Sequence, residues 1–303
     1  MNEEQDFEQV AQQVRPGCRL LSVRRLTGGV SADVHALMLA LPGGGTENIV
    51  LRQHRVKDWK RRQANVTQME YQVLAALHRA GMPVPEPLHL DDSGSLPDGP
   101  YLVTSFMPGS TDVPPEALDS ALDHMAGLLA RLHSLPADLL SGLPMRADPL
   151  PELFEYLPDT PLCNRLRELL TARGDTAYQE GMSILHGDFW PGNILWVEGA
   201  PSAILDWEDA ALGDPACDVA GCRLEVLWKY GPEASAKFAD CYAILRSLDP
   251  VRLALWEVFV ASAGRHFLGE WGLEPDREAE MRGRADKFIH DAATYLIAQF
   301  QTA

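Results

Sequence analysis

The sequence lacks the features that identify several large classes of protein. No apolar run approaches the roughly 18 residues of a membrane-spanning helix. The first residues, MNEEQDFEQVAQQV, are polar and acidic, unlike a signal peptide. The five cysteines form no Cys-x-x-Cys pair. We therefore expect a cytoplasmic protein with no membrane partner, no structural zinc and no disulfide framework.

Basic residues are also scarce. Lys and Arg number 26 against 43 Asp and Glu, which gives a formal net charge of -17. Because a nucleic-acid-binding surface needs positive charge, we expect no nucleic-acid partner, and no sequence feature indicates a protein partner. The acidic excess is compatible with a cationic ligand, or it serves only to keep the protein in solution.

The first 106 residues predict a small antiparallel sheet. Residues 3–14 have the pattern of a short amphipathic helix, and three strand-like segments separated by glycine turns follow it. Apolar residues recur at helical spacing over about 58–80, and GPYLVTSFMPG predicts a further strand. We interpret residues 1–106 as an N-terminal lobe.

The remaining residues, 107–303, predict a larger and mostly helical lobe. Helical spacing is clear at 114–134 and 161–172, and the tail from 216 to 300 predicts several more helices. The segments NILWV and SAILDW predict a hairpin around a Gly-Ala-Pro turn. The fold class that follows is α+β, with a sheet lobe and a helical lobe.

The segment HGDFWPGN, residues 186–193, combines an acid and an amide in an irregular loop. Asp188 could accept a proton from a hydroxyl group. Asn193 begins the predicted hairpin and Asp206 ends its second strand, which would bring the two residues to one end of the ribbon. Their oxygens are suitable ligands for Mg²⁺. A base near an acceptor and a metal ion on donor phosphates are what phosphoryl transfer requires.

HGDFWPGN followed by ILDWE resembles the aminoglycoside phosphotransferase and choline kinase-like family, which has a bilobal protein kinase-like fold. GDPACDVA and LARLHSL resemble further segments of that family. The resemblance implies ATP or GTP as donor, Mg²⁺, and a small hydroxylated acceptor. It also implies roles for single residues: Asp188 as catalytic base; Asn193 and Asp206 as metal ligands; His186 and Asp218 as supports of the loop; and Gly28, Gly29, Ser31, Arg52, Glu70, Ser105 and Met107 at the nucleotide.

Two positions depart from the pattern of protein kinases. Arg52 stands where many kinases have lysine; the charge is kept, but the planar guanidinium is not equivalent to an ammonium group. We expect Arg52 to pair with Glu70. Gly187 replaces the arginine of His-Arg-Asp, and there is no room for a long activation loop between Asp206 and Asp214. A small acceptor is therefore favoured over a protein.

The sequence leaves the acceptor open. An aminoglycoside-like antibiotic fits the acidic charge and would make the protein a resistance enzyme, but a sugar, an amino alcohol or a macrolide also fits. Glu208, next to the metal motif, could contact the acceptor or be a local solvated charge. A nucleotide-binding pseudokinase is the alternative of another class. A hydrolase is disfavoured because no G-x-S-x-G motif is present.

Overall fold

A five-stranded antiparallel sheet organises the N-terminal part of the chain. The structure is a computed structural model that describes residues 3–26, 32–54, 66–93, 95–96, 99–146, 148–174, 176, 178 and 180–302. The strand order is β1-β2-β3-β5-β4. The strands are β1 (Arg19–Leu26), β2 (Ala32–Ala40), β3 (Thr46–His54), β4 (Pro87–Asp91) and β5 (Tyr101–Ser105).

The first three strands are those that the sequence predicts, and alternation of buried apolar residues explains β2 and β3. On β2, Leu37 and Leu39 are fully buried, and on β3 Ile49 and Leu51 repeat the spacing of two. These side chains pack with Val10 and Ala11 of the helix α1 (Glu3–Val14). Burial of each large aliphatic side chain stabilises the sheet by roughly 1.5–3 kcal/mol.

The helix α2 (Val66–Arg79) lies within the segment predicted as helical, and residues 55–65 lie outside the described part of the chain. Val73, Leu74 and Leu77 form its buried apolar face, and Glu70 is buried on the same helix. A buried carboxylate requires a charged partner, and that partner is found on β3. The strand β4 was not anticipated, because its three nearby prolines indicated only extended chain.

The C-terminal part of the chain is mostly helical, as expected. The helix α5 begins where the Thr160 hydroxyl accepts a hydrogen bond from the Cys163 backbone N–H at 3.2 Å. The helices are α3 (Leu118–His133), α4 (Leu153–Tyr156), α5 (Pro161–Arg173), α6 (Ala216–Tyr230), α7 (Pro232–Leu245), α8 (Pro250–Phe267) and α9 (Pro275–Thr302).

Three short strands form a second sheet that the sequence did not predict. The order is β6-β10-β7, with β6 at Met145–Arg146, β7 at Ser183–Leu185 and β10 at Ala211–Gly213. Strands of two or three residues are too short to show an alternating pattern. β7 matters for the site, because its C-terminal end leads directly into His186.

The predicted hairpin is present as β8 (Ile194–Val197) and β9 (Ala200–Ile204), but two details were wrong. The turn is Glu198–Gly199 rather than Gly-Ala-Pro: both residues have positive φ, 51° and 80°, as in a type I′ turn. Asp206 does not end the second strand, which stops at Ile204. Asp206 lies beyond it with φ 63°.

Contacts divide the chain into two units. The first comprises 1–110 together with 195–197 and 201–208; the second comprises 111–194, 198–200 and 209–303. The first unit thus extends beyond residue 106, the limit expected from the sequence, and it also includes most of the hairpin formed by β8 and β9. The antiparallel sheet in one unit and the predominance of helices in the other confirm the α+β class. No helix of the described residues is long and apolar enough to cross a membrane.

Candidate active site

The loop after β7 is held by one buried carboxylate in the second unit. The backbone N–H groups of His186 and Gly187 donate to Asp218 Oδ2 at 2.7 Å and Oδ1 at 2.9 Å. Asp218 lies in the first turn of α6 and is buried. Burial opposes its ionisation, but hydrogen bonds from His133 and from the loop backbone outweigh burial and keep the pKa of Asp218 below its usual value. The expected support of the loop by Asp218 is therefore present.

Gly187 has a conformation that few other residues would accept. Its φ is 86°, and a Cβ at this position would overlap the backbone carbonyl oxygen of Asp209. A side chain here would therefore displace the chain on one side or the other. The glycine that distinguishes this motif from His-Arg-Asp is required by the local packing.

Asp188 is fixed by contacts to its backbone and to its side chain. Its N–H donates to His186 Nδ1 at 3.2 Å. Asn193 Nδ2 donates to both the backbone oxygen and Oδ2 of Asp188, each at 2.9 Å. Asp188 is exposed, whereas His186 and Asn193 are buried. The loop thus presents an oriented carboxylate to solvent, and His186 acts in its support as expected.

A buried chain of hydrogen bonds lies behind the loop. His133 Nε2 lies 3.2 Å from Asp218 Oδ2, and His133 Nδ1 lies 2.7 Å from the Tyr242 hydroxyl. All three side chains are buried. Sequence reasoning missed Tyr242 altogether and used His133 only as part of LARLHSL. The only sequence feature that could have indicated this contact is His133 itself, a polar residue at the end of an apolar helix face.

A second charged cluster belongs to the first unit and centres on Arg52 of β3. Arg52 Nε lies 3.2 Å from Glu70 Oε2, so the predicted pairing is present. One terminal nitrogen of Arg52 lies 2.6 Å from Asp206 Oδ1 and 3.2 Å from Glu208 Oε2. His54 is close to the same acids, with nitrogen–oxygen distances of 3.5 Å to Glu70 and 3.7 Å to Glu208.

The acids around Arg52 set the charge states of the cluster. Burial opposes the charge on Arg52, but Glu70, Asp206 and Glu208 raise its pKa above the ordinary value. Burial likewise opposes ionisation of Glu70, but Arg52 and His54 lower its pKa. Arg52 therefore remains a cation held by three carboxylates. Glu208, for which the sequence left an acceptor contact or a solvated charge open, contacts Arg52 and His54.

Of the predicted nucleotide contacts, Ser105 is the last residue of β5, Met107 follows that strand, and three others lie outside the described residues. The Ser105 backbone N–H donates to the Glu86 carbonyl oxygen at 2.9 Å, so that group already has a partner. The backbone of Met107 makes no hydrogen bond within the described part of the chain, and Met107 is half-buried. The backbone groups of Met107 thus remain available within the described part of the chain, whereas the Ser105 N–H does not. Gly28, Gly29 and Ser31 are the three that lie outside the described residues.

The residues expected to hold Mg²⁺ have suitable donor atoms. Asn193 uses Nδ2 toward Asp188, which leaves Oδ1 as a possible ligand. Asp206 supplies a carboxylate that now pairs with Arg52. No group of three or more His, Cys, Asp or Glu able to hold a metal occurs among the described residues. Mg²⁺ commonly takes only one or two protein ligands and completes its shell with water and phosphate, so the oxygen of each of these side chains is chemically suitable as a ligand.

Comparison with models of protein families shows to which family the chain belongs. The model described as "Phosphotransferase enzyme family" matches residues 22–256, which include both clusters. The chain belongs to this family. The match confirms the resemblance seen in HGDFWPGN and ILDWE. Within the phosphotransferase enzyme family, the loop around Asp188 and the Arg52 cluster are parts of one matched region rather than isolated coincidences.

Similar proteins act on antibiotics. The chain is 31% identical to viomycin phosphotransferase from Streptomyces vinaceus over 212 residues, 60% of this chain and 71% of that protein. It is 35% identical to streptomycin 6-kinase from Streptomyces griseus over 106 residues, 33% of this chain. This match covers 34% of streptomycin 6-kinase. The chain also matches acyl-CoA dehydrogenase family member 10 from Mus musculus, but it covers only 16% of that protein.

Solved structures show the same fold at lower identity. A Ralstonia eutropha protein assigned to the aminoglycoside phosphotransferases has a TM-score of 0.69 at 19% identity, covering 96% of this chain and 97% of that one. A thermostable mutant of aminoglycoside phosphotransferase APH(4)-Ia, in a ternary complex with AMP-PNP and hygromycin B, has a TM-score of 0.64 at 17% identity and covers 94% and 98%. These relatives confirm the kinase-like fold.

Proposed function

We propose that this chain is a small-molecule kinase that transfers the γ-phosphoryl group of ATP to a hydroxyl group of a cationic antibiotic. The observation that carries the proposal is the orientation of Asp188. Its carboxylate is exposed, bonded by Asn193, and set on a loop held by Asp218. A carboxylate fixed in this way can orient an acceptor hydroxyl and accept its proton as the phosphorus–oxygen bond forms.

In this proposal residues 1–106 form the main part of the ATP-binding lobe, and residues 107–303 form the lobe that carries the catalytic loop. Arg52, held in place by Glu70, neutralises charge on the donor phosphates. The backbone of Met107 bonds the adenine edge, with Ser105 alongside, and the turn with Gly28, Gly29 and Ser31 covers the phosphates. AMP-PNP in the APH(4)-Ia complex supports ATP as the donor.

Asp206 and Asn193 are the proposed ligands of Mg²⁺. A bound Mg²⁺ neutralises developing charge on the donor phosphate oxygens. Arg52 occupies Oδ1 of Asp206, so Oδ2 is the oxygen that would bind the metal ion unless the carboxylate moves away from Arg52. Arg52 keeps Glu70 and Glu208 as partners, so the rearrangement does not strand its charge.

The acceptor class rests on the named relatives. Viomycin and streptomycin are named in the curated relatives, and hygromycin B in the solved complex. A macrolide 2'-phosphotransferase also shares the fold, with a TM-score of 0.60 at 19% identity over 93% of this chain and 96% of that one. The acidic charge of the chain, -17, is compatible with an acceptor that carries several amines. A sugar or amino alcohol is the alternative acceptor.

The test is an acceptor-dependent ADP-release assay with ATP and Mg²⁺. The panel contains aminoglycosides, viomycin, macrolides, sugars and amino alcohols. We expect release to be stimulated by a cationic antibiotic, whose product gains one phosphate by mass spectrometry. Release with none of the panel would refute the kinase proposal. We also propose a cytoplasmic location, because all five cysteines are free thiols.

One observation favours a second candidate, a nucleotide-binding module without transfer activity. Arg52 replaces the common lysine and is paired with Asp206, which a catalytic site needs for the metal ion. The two candidates differ in turnover. A module would bind ATP and show no acceptor-dependent release, whereas the kinase would show both.

A further inference from the structure

Glu225 lies on the same face of α6 as Asp218. The two residues are seven apart, or close to two helical turns, which places them about 10 Å apart along one side of the helix. Asp218 bonds the backbone of His186 and Gly187, immediately before Asp188. The same helix also packs against the 3₁₀ turn at Pro191–Asn193. Glu225 therefore extends from a helix face that is already in contact with the Asp188 loop.

The carboxylate of Glu225 has no partner in the described part of the chain. It forms no hydrogen bond and no ion pair there, although the side chain is largely buried. The oxygens of Glu225 reach solvent, since they are not among the fully buried side-chain atoms that lack a hydrogen-bond partner. Two other charged residues of α6 are paired: Arg223 with Glu257, and Asp218 with His133. An unpaired, solvent-reaching carboxylate in these surroundings has the features of a ligand contact.

The charges near Glu225 do not neutralise it. Arg277 of α9 is engaged by Glu280 at 2.8 Å and by the Trp228 carbonyl oxygen at 2.6 Å. Lys229 is exposed and lies over the Tyr230 ring. Burial, followed by repulsion from Asp188, raises the pKa of Glu225 to about 7 in spite of Arg277 and Lys229. Arg277 and Lys229 thus act on Glu225 at a distance, but neither forms an ion pair with it within the described residues.

We propose that Glu225 is an acceptor-specificity residue, which binds a protonated amine or guanidinium of the acceptor while Asp188 receives the acceptor hydroxyl. This rests on the proposed kinase function and narrows it to acceptors with a cation near the reacting hydroxyl. A cation at Glu225 would give this carboxylate the ion-pair partner that it lacks within the described residues. A neutral acceptor would leave Glu225 without that partner.

The experiment compares the wild type with Glu225→Gln on a matched pair of acceptors. The pair is the cationic antibiotic that the wild type phosphorylates fastest in the panel and its N-acetylated derivative, which lacks the amine charges. We expect Glu225→Gln to raise KM for the amine form roughly 30-fold, as for loss of one partner of a desolvated charge pair, with kcat changed less. For the acetylated form, Glu225→Gln and the wild type should agree.

Glu233→Gln is the matched control, because Glu233 is an exposed acid near the start of the next helix. It removes the same charge and should leave KM for the amine form unchanged. Thermal unfolding of both variants checks folding. Equal KM values for Glu225→Gln and the wild type would overturn this inference while the kinase proposal stands. Wild-type turnover confined to neutral acceptors would overturn this inference and the cationic acceptor class, but not phosphoryl transfer itself. Absence of any wild-type turnover would overturn both.

Discussion

The guanidinium of Arg52 lies 2.6 Å from the Asp206 carboxylate and 3.2 Å from that of Glu70. One cation thus joins a strand, a helix and the segment after β9 within the first unit. Arg52 can do this because its planar fork has several donors, whereas a lysine offers a single charged nitrogen. Arg52 therefore has a structural role in this ion network, in addition to its proposed contact with the donor phosphates.

Replacement of Arg52 by lysine is expected to lower the free energy of unfolding by about 1–3 kcal/mol, because a buried carboxylate would lose part of its pairing. Thermal and urea unfolding measure the change. Arg25→Lys is the control, since Arg25 pairs with Asp33 on the exposed face of the sheet. Arg25→Lys should change stability by less than about 0.5 kcal/mol. Equal effects of the two substitutions would contradict the network described here.

Asp206→Asn is expected to weaken ATP binding when Mg²⁺ is present and to change it little when the metal is chelated. The carboxylate is the stronger metal ligand, and the amide retains a similar shape. Calorimetric titration of ATP in both conditions measures the difference. Binding that is unaltered with Mg²⁺ would remove Asp206 from the metal assignment.

Gly187→Ala is expected to destabilise the second unit by about 1–3 kcal/mol and to reduce turnover, because the new methyl group would meet the Asp209 carbonyl at a positive φ. Gly221→Ala is the matched control. Gly221 lies within α6 with open space around it and no positive φ. That substitution should leave stability unchanged or raise it by up to about 1 kcal/mol. Wild-type activity in Gly187→Ala would show that the loop tolerates a shift.

The lowered pKa of Asp218 makes the free energy of unfolding depend on pH. Its folded pKa lies below the unfolded value, so its contribution is present above about pH 4 and is lost as pH falls through the folded pKa. Asp218→Asn should therefore be less stable than the wild type at neutral pH, and the difference should shrink in acid. Unfolding free energies across that range measure it. A difference that grows in acid would contradict the pKa direction.

The sequence predicts the parts of the site that lie close together along the chain. HGDFWPGN places Asp188 and Asn193 within one loop, and the structure joins them at 2.9 Å. The Arg52–Glu70 pair was also predicted and is present. His133 and Tyr242 were not, because their contact joins distant helices and depends on how those helices pack.

Local errors have local causes. The hairpin turn was placed on Gly-Ala-Pro because proline commonly marks turns, but the two-residue turn requires positive φ at Glu198 and Gly199. For Glu208 the sequence left two interpretations open, a contact with the acceptor or a local solvated charge, and it did not predict an ion pair with Arg52. Its contact with Arg52 depends on the packing of β3, which no short motif shows.

The central claim is that Asp188 serves the acceptor hydroxyl during phosphoryl transfer. Its most direct test is acceptor-dependent turnover of Asp188→Asn, measured beside ATP affinity and thermal unfolding of the same variant. The account predicts a loss of kcat of about 10²–10⁴-fold, with ATP affinity and unfolding temperature close to those of the wild type. Turnover equal to the wild type would contradict it.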